Sequence, residues 1–238
     1  MLEDDYLPKQ QLLLFYCSFT CIYFPGILIL LKFNDNLYNV GTYKFIPILV
    51  ILMFAEVTKL SFSLLQTDSL PLGKIDTKSA PTRVKRTFGK RLKGILKFLI
   101  SFVITAFVYY IIVILFGCPL LTHHEETIML TTTLTSLTLI PASLHLGIDE
   151  SVALLTGAPL QTSNVIVEAV QRNIKATLLG TWIGATVIPL DWNKPWQTWP
   201  IPCIIGALLG YMVAHFMTLV KMLPILRRRR NYFSHSNK

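Results

Sequence analysis

Continuous apolar runs, each about as long as a membrane is thick, recur along the chain at residues 11–31, 43–65, 95–116, 127–146, 174–190 and 201–220, with polar or basic stretches between them. An α-helix rises about 1.5 Å per residue, so roughly twenty residues carry it across a hydrocarbon core of about 30 Å. In lipid the backbone must satisfy its own polar groups, which leaves a helix bundle or a closed barrel. Barrel strands would read as segments of about ten residues with alternating polarity. The runs here are continuous, and predict an all-α fold: one polytopic transmembrane domain over residues 1–238, with about six spans. The fourth run is diluted by threonine and serine and the fifth is short. The first follows Glu3, Asp4 and Asp5, exceeds the length of a signal-peptide core and lacks a small-residue exit, so it is expected to stay as a span.

Composition agrees with lipid as the main solvent. Of 238 residues 53% are hydrophobic and 15% charged, where a soluble domain carries about a quarter charged residues, and the mean hydropathy is +0.54. The net charge of +9 lies between the apolar runs, without aromatic platforms or a nucleic-acid fold signature, so it points to anionic headgroups and excludes nucleic acid as a partner. Its placement also orients the chain. Lys74, Lys78, Arg83, Lys85, Arg86, Lys90, Arg91 and Lys93 fill the loop at 66–94; Lys9, Arg172, Lys175, Lys221, residues 227–230 and Lys238 lie on the same side of a six-span chain; the opposite side has Lys32, Lys44 and Lys194. The side richer in Lys and Arg is cytoplasmic, which predicts both termini in the cytoplasm. Residues 151–170, broken by Gly157, Pro159 and Asn164, are expected to form a re-entrant or interfacial segment.

Few residues offer chemistry. Glu56 and Lys59 sit three apart in the second run, on one helix face, and read as an intramembrane ion pair that fixes packing or, alternatively, lines a proton or headgroup site. His123, His124, Glu125 and Glu126 carry metal-ligand chemistry without a helical i, i+4 spacing, and read as a solvated loop rather than a metal site. His145, near Pro141, reads as a packing histidine. Thr131, Thr132, Thr133, Thr135, Ser136 and Thr138 predict a buried, closely packed fourth helix whose hydroxyls bond across an interface or back to their own carbonyls. Cys17 and Cys21 share a helix face; Cys118 and Cys203 fall near span ends on one side, where a disulfide is open to them. No nucleophile elbow, H-E-x-x-H helix or phosphate-cradling loop occurs, so no catalytic residue, cofactor or metal is assigned.

One stretch stands apart. All four tryptophans, Trp182, Trp192, Trp196 and Trp199, fall within residues 180–211. Gly180 and Gly184 form a G-x-x-x-G in the fifth run, Gly206 and Gly210 another in the sixth, a spacing that lets two helix backbones approach closely as a hairpin. Between them lies PLDWNKPWQTWP at 189–200. Pro189, Pro195, Pro200 and Pro202 stiffen this turn and the indoles anchor it at headgroup depth. Asp191 and Lys194 are its only charges. The turn reads as an aromatic belt or as a lumenal recognition edge with Asp191 accepting a hydrogen bond. Either way, Pro189, Asp191, Trp192, Lys194, Pro195, Trp196, Trp199 and Pro200 are the candidate site residues.

That run, flanked by its glycine-spaced helices, resembles the signature of the phosphatidylinositol-glycan biosynthesis class F (PIG-F) family. The close likeness covers about thirty residues; elsewhere it lies in length, span count and basic loops. The resemblance implies a multi-pass subunit of the endoplasmic reticulum membrane that stabilises the large catalytic ethanolamine phosphate transferase subunits of glycosylphosphatidylinositol (GPI) anchor biosynthesis. The metal-dependent chemistry would then belong to the partner's lumenal domain, and the chain itself would contact membrane lipids but catalyse nothing. The competing readings are a membrane enzyme acting on a lipid headgroup through Asp191 or the residues at 123–126, and a small-solute or lipid transporter lined by Glu56 and Lys59.

Overall fold

A computed structural model describes residues 6–33, 36–68, 84–118, 122–158, 165–190 and 192–236. Among them seven α-helices follow in order: α1 (Tyr6–Phe33), α2 (Ile46–Asp68), α3 (Val84–Leu115), α4 (His124–Leu146), α5 (Ile148–Leu155), α6 (Val165–Thr186) and α7 (Ile201–Ser236). Short 3-10 turns at Asn36–Asn39 and Tyr43–Phe45 join α1 to α2, and another at Pro195–Gln197 precedes α7. No strand occurs among the described residues.

Among the described residues four helices are long and apolar enough to cross a membrane: Leu13–Phe33, Leu92–Leu115, His124–Leu146 and Ile201–Leu223. The two further helices that a six-span count needs are α2 and α6, of 23 and 22 residues; α6 carries Glu168, Arg172 and Lys175 in its first half. Several helices outrun the apolar runs that announced them. α3 starts at Val84, inside the basic stretch expected as loop, and α7 continues to Ser236. Hydropathy marks the part of a helix that lipid surrounds, whereas Lys and Arg are good helix formers that continue it into water. Residues 151–170 do not form one unit: α5 ends at Leu155, the chain turns at Gly157 with φ +75°, and residues from Val165 already belong to α6. Residues 69–83, most of the expected basic loop, lie outside the described residues.

The central element is α4. Of its span 78% is buried, against 6% for the more apolar α3, and it packs on α2, α3, α5, α6 and α7. This ordering follows from lipid as solvent. Apolar surface gains nothing by leaving hydrocarbon, while hydroxyls and small residues favour the packed interior. The hydroxyls of α4 are satisfied mostly within their own helix: Thr133 donates to the Met129 carbonyl at 2.7 Å, Thr135 to Thr131 at 2.8 Å, Ser136 to Thr132 at 2.7 Å and Thr138 to Leu134 at 2.7 Å. Thr138 also meets the Tyr109 hydroxyl of α3 at 3.2 Å.

Pro141 interrupts α4 chemically, since it has no N–H for the carbonyl of Leu137 four residues earlier. A neighbouring helix supplies the missing donor: Asn173 Nδ2 of α6 reaches the Leu137 carbonyl at 3.3 Å. Such inter-helix repair is how transmembrane helices tolerate proline. The helix ends at Gly147, whose φ of +87° a side chain would strain, and α5 begins at once.

Candidate functional site

Two features stand out, a glycine-packed hairpin that carries the tryptophan turn and a polar cluster inside the bundle. The hairpin is the most extensive helix pair, α6 against α7. Its glycines face one another across the crossing. A Cβ on Gly180 would strike the backbone carbonyl of Gly206, and one on Gly206 would strike that of Gly180. A Cβ on Gly184 would strike the Pro202 carbonyl, and one on Gly210 that of Ala176. Four successive contacts with backbone rather than side chain mean that the two helices meet main chain to main chain.

The turn between them is held from inside by Gln197, a buried residue that the sequence reading passed over. Its Nε2 donates to the carbonyls of Val187, at 2.9 Å, and Leu190, while its Oε1 accepts the Lys194 N–H at 3.2 Å. One amide thus closes both sides of the loop. A signal was available, because Gln197 is the one uncharged side chain in the run that both donates and accepts with enough reach to bridge it. Trp196 and Trp199 pack against the main apolar core, and Trp199 Nε1 points to Thr127 Oγ1 of α4 at 3.4 Å. Pro200 is buried beside Gly41, leaving no room for a Cβ there, and the Trp199 to Pro200 peptide is cis. Trp192 is 54% exposed and meets the edge of Trp196, ring centroids 5.9 Å apart. Lys194 and Pro195 are exposed, Pro189 lies at the end of the turn that follows α6, and Asp191 lies outside the described residues.

The polar cluster joins α1, α2 and α7. Glu56 and Lys59, 5% and 2% exposed, form an ion pair at 2.5 Å. The carboxylate also accepts the hydroxyls of Tyr16, of Tyr23 at 3.0 Å and of Tyr211 at 2.7 Å. Lys59 Nζ donates to Thr20 Oγ1 at 2.8 Å and stands 4.0 Å from the centroid of the Tyr16 ring, a cation–π contact. Of these donors Lys59, Tyr23 and Tyr211 share Oε1 and Tyr16 takes Oε2, so both oxygens are engaged by the bundle itself. The charges therefore compensate one another inside the bundle and hold three helices at their crossing. His145 and His215 flank the cluster, their rings 4.5 Å from Tyr16 and 4.4 Å from Tyr211.

The residues at 123–126 do not converge. His123 Nδ1 pairs with Glu126 at 3.1 Å, His124 meets the Tyr110 hydroxyl at 3.3 Å, and Glu125 accepts the Tyr43 N–H at 2.7 Å. Among the described residues no group of three His, Cys, Asp or Glu side chains is placed to hold a metal ion. The four cysteines form no disulfide; Cys118 Sγ lies 3.0 Å from Thr127 Oγ1 and Cys203 is buried in α7.

Comparison with known proteins gives this architecture relatives. Over 128 residues, 54% of this chain and 58% of the other, it is 31% identical to a Homo sapiens protein named GPI ethanolamine phosphate transferase, stabilizing subunit. A Mus musculus protein of the same name is 33% identical over 117 residues, 49% of this chain and 53% of that one. The Aspergillus fumigatus protein named glycosylphosphatidylinositol anchor biosynthesis protein 11 is 32% identical over 146 residues, 60% of this chain and 48% of the fungal one. The chain thus spans about half the length of the curated relatives it matches, and no solved structure matches it. The sequence profile of the GPI biosynthesis protein family Pig-F matches residues 12–219, taking in polar cluster and hairpin alike, and the chain belongs to that family.

Proposed function

We propose that this chain is a non-catalytic stabilising subunit of an ethanolamine phosphate transferase in GPI-anchor biosynthesis, seated in the endoplasmic reticulum membrane with six spans and both termini in the cytoplasm. The catalytic site belongs to a large partner subunit, whose lumenal domain performs the transfer. The tryptophan turn at 189–200 faces the lumen beside that domain.

The observation that carries this reading is the engagement of Glu56 within the bundle. The one buried carboxylate among the described residues already accepts four donors. Its donors come from α1, α2 and α7, so the carboxylate is committed to holding the helix crossing. That also weighs against a transporter path along Glu56 and Lys59. What remains distinctive is a rigid hairpin presenting an exposed indole, Trp192, in a family whose human relative is named for stabilising a transferase. Indoles on preorganised turns are efficient contacts for another protein, because they bury much area at little cost in conformational freedom.

Affinity purification of the tagged full-length chain in mild detergent should recover a large ethanolamine phosphate transferase, with transferase activity in the pair and none in the chain alone. A chain that purifies alone, or that transfers ethanolamine phosphate without a partner, would refute this reading. Cysteine-accessibility labelling should place residue 192 in the lumen and residues 74–78 in the cytoplasm.

A further inference from the structure

Between α1, α4, α6 and α7, beside the polar cluster, lies a cavity lined by Tyr16, Pro141, His145, Ala169, Asn173 and His215, among others. Two of these lining residues each carry a buried polar atom without a hydrogen-bond partner, Asn173 Oδ1 and His145 Nε2. The first cannot be cured by turning the amide. Asn173 is 5% exposed, and its nitrogen is committed to the Leu137 carbonyl that Pro141 leaves without a donor. That carbonyl requires an N–H, so the amide oxygen must face the other way. Two further polar groups of the wall are engaged elsewhere. His215 Nδ1 donates to the Tyr211 carbonyl at 2.9 Å, and the Thr218 hydroxyl donates to the Ala214 carbonyl at 2.9 Å while accepting from Arg172 at 2.9 Å.

A buried polar atom without a partner is destabilising, and two on the lining of one cavity can share a ligand. The cavity is small, ≈ 20 Å³, room for one water, which needs roughly 10–15 Å³, and too little for a lipid headgroup. We propose that this cavity holds one resident water that hydrogen-bonds Asn173 Oδ1 and His145 Nε2. The water completes the repair of the proline break. Asn173 gives its N–H to α4 at Leu137, and the water returns the amide oxygen to α4 at His145, so that α6, and with it the glycine hairpin, is tied to the central helix at two points on either side of Pro141.

The full chain in lipid nanodiscs, imaged at a resolution that shows ordered solvent, should have a single density peak within about 3 Å of both atoms. His145→Phe and Asn173→Leu each break the bridge, so each should lower Tm. The double variant should lose less than the sum of the two, by on the order of 2–4 °C, because the second substitution finds the water already gone. A cavity empty of density, or Tm losses that add, overturns the proposal; the imaging needs no variant and holds even where a variant fails to fold.

Discussion

Individual residues here matter through what they leave behind when removed. Glu56 is the common acceptor for Lys59, Tyr16, Tyr23 and Tyr211, and the two members of the ion pair are not equivalent. Lys59→Met leaves a carboxylate that keeps three phenolic donors. Glu56→Met strands an ammonium group and three hydroxyls inside the bundle. Thermal unfolding should therefore rank Glu56→Met as the most damaging, at about 3–5 kcal/mol, with Lys59→Met and the Glu56→Met, Lys59→Met double variant both milder. Equal losses from the two single variants would mean that the tyrosines contribute nothing. A smaller effect belongs to Gln197, whose side chain satisfies the Val187 and Leu190 carbonyls. Gln197→Ala should cost about 1–3 kcal/mol and shift tryptophan emission to the red as the turn admits water; unchanged emission would show that the prolines hold the turn by themselves.

Among the elements, the α6 and α7 pair depends on the absence of side chains along one seam. Because the atoms facing Gly180, Gly184 and Gly206 are backbone carbonyls, no rotamer change can make room, and the helices must part. Gly180→Leu or Gly206→Leu should sharply reduce the yield of folded protein in detergent, whereas Gly26→Leu on α1, where a Cβ would meet nothing within 4 Å, should leave yield and Tm unchanged. A tolerated Gly180→Leu would show that the hairpin adapts by sliding. How far such elements can be read from letters depends on where their partners lie. The spacing of the glycines, the three-residue step from Glu56 to Lys59 and the threonines of α4 are local, and each is visible within one turn or two. Tyr16 and Tyr211, 40 and 155 residues from Glu56, give no local sign that they share its carboxylate. Asn173 gives no local sign of its role either, since the carbonyl it serves lies 36 residues away. The helices run on past the apolar runs for a different reason: the apolar pattern stops at the membrane surface, and the backbone hydrogen bonds do not.

At the scale of the whole molecule the bundle is inverted relative to a soluble one. Of its four most apolar helices the least apolar, α4, is buried and the most apolar, α3, is exposed, and the buried charges among the described residues, Glu56 and Lys59, meet at one crossing. A surface of that kind offers lipid-facing side chains almost everywhere, so specific recognition by another protein has to come from a feature that lipid does not fill. The tryptophan turn is such a feature, and its members divide by burial. Trp196 and Trp199 rest on the core, and replacing either would disturb folding together with any contact it makes. Trp192 is more than half exposed, and its one described ring contact is the edge of Trp196. Trp192→Ala should therefore leave Tm within about 2 °C of the parent chain, as surface substitutions do. It should nonetheless lower recovery of the transferase subunit several-fold in co-purification and reduce GPI-anchored protein at the cell surface. Wild-type recovery with Trp192→Ala would move the contact to the apolar faces of α2, α3 or the outer side of α6, where Trp182 is 57% exposed. The turn would then serve only to lock the hairpin.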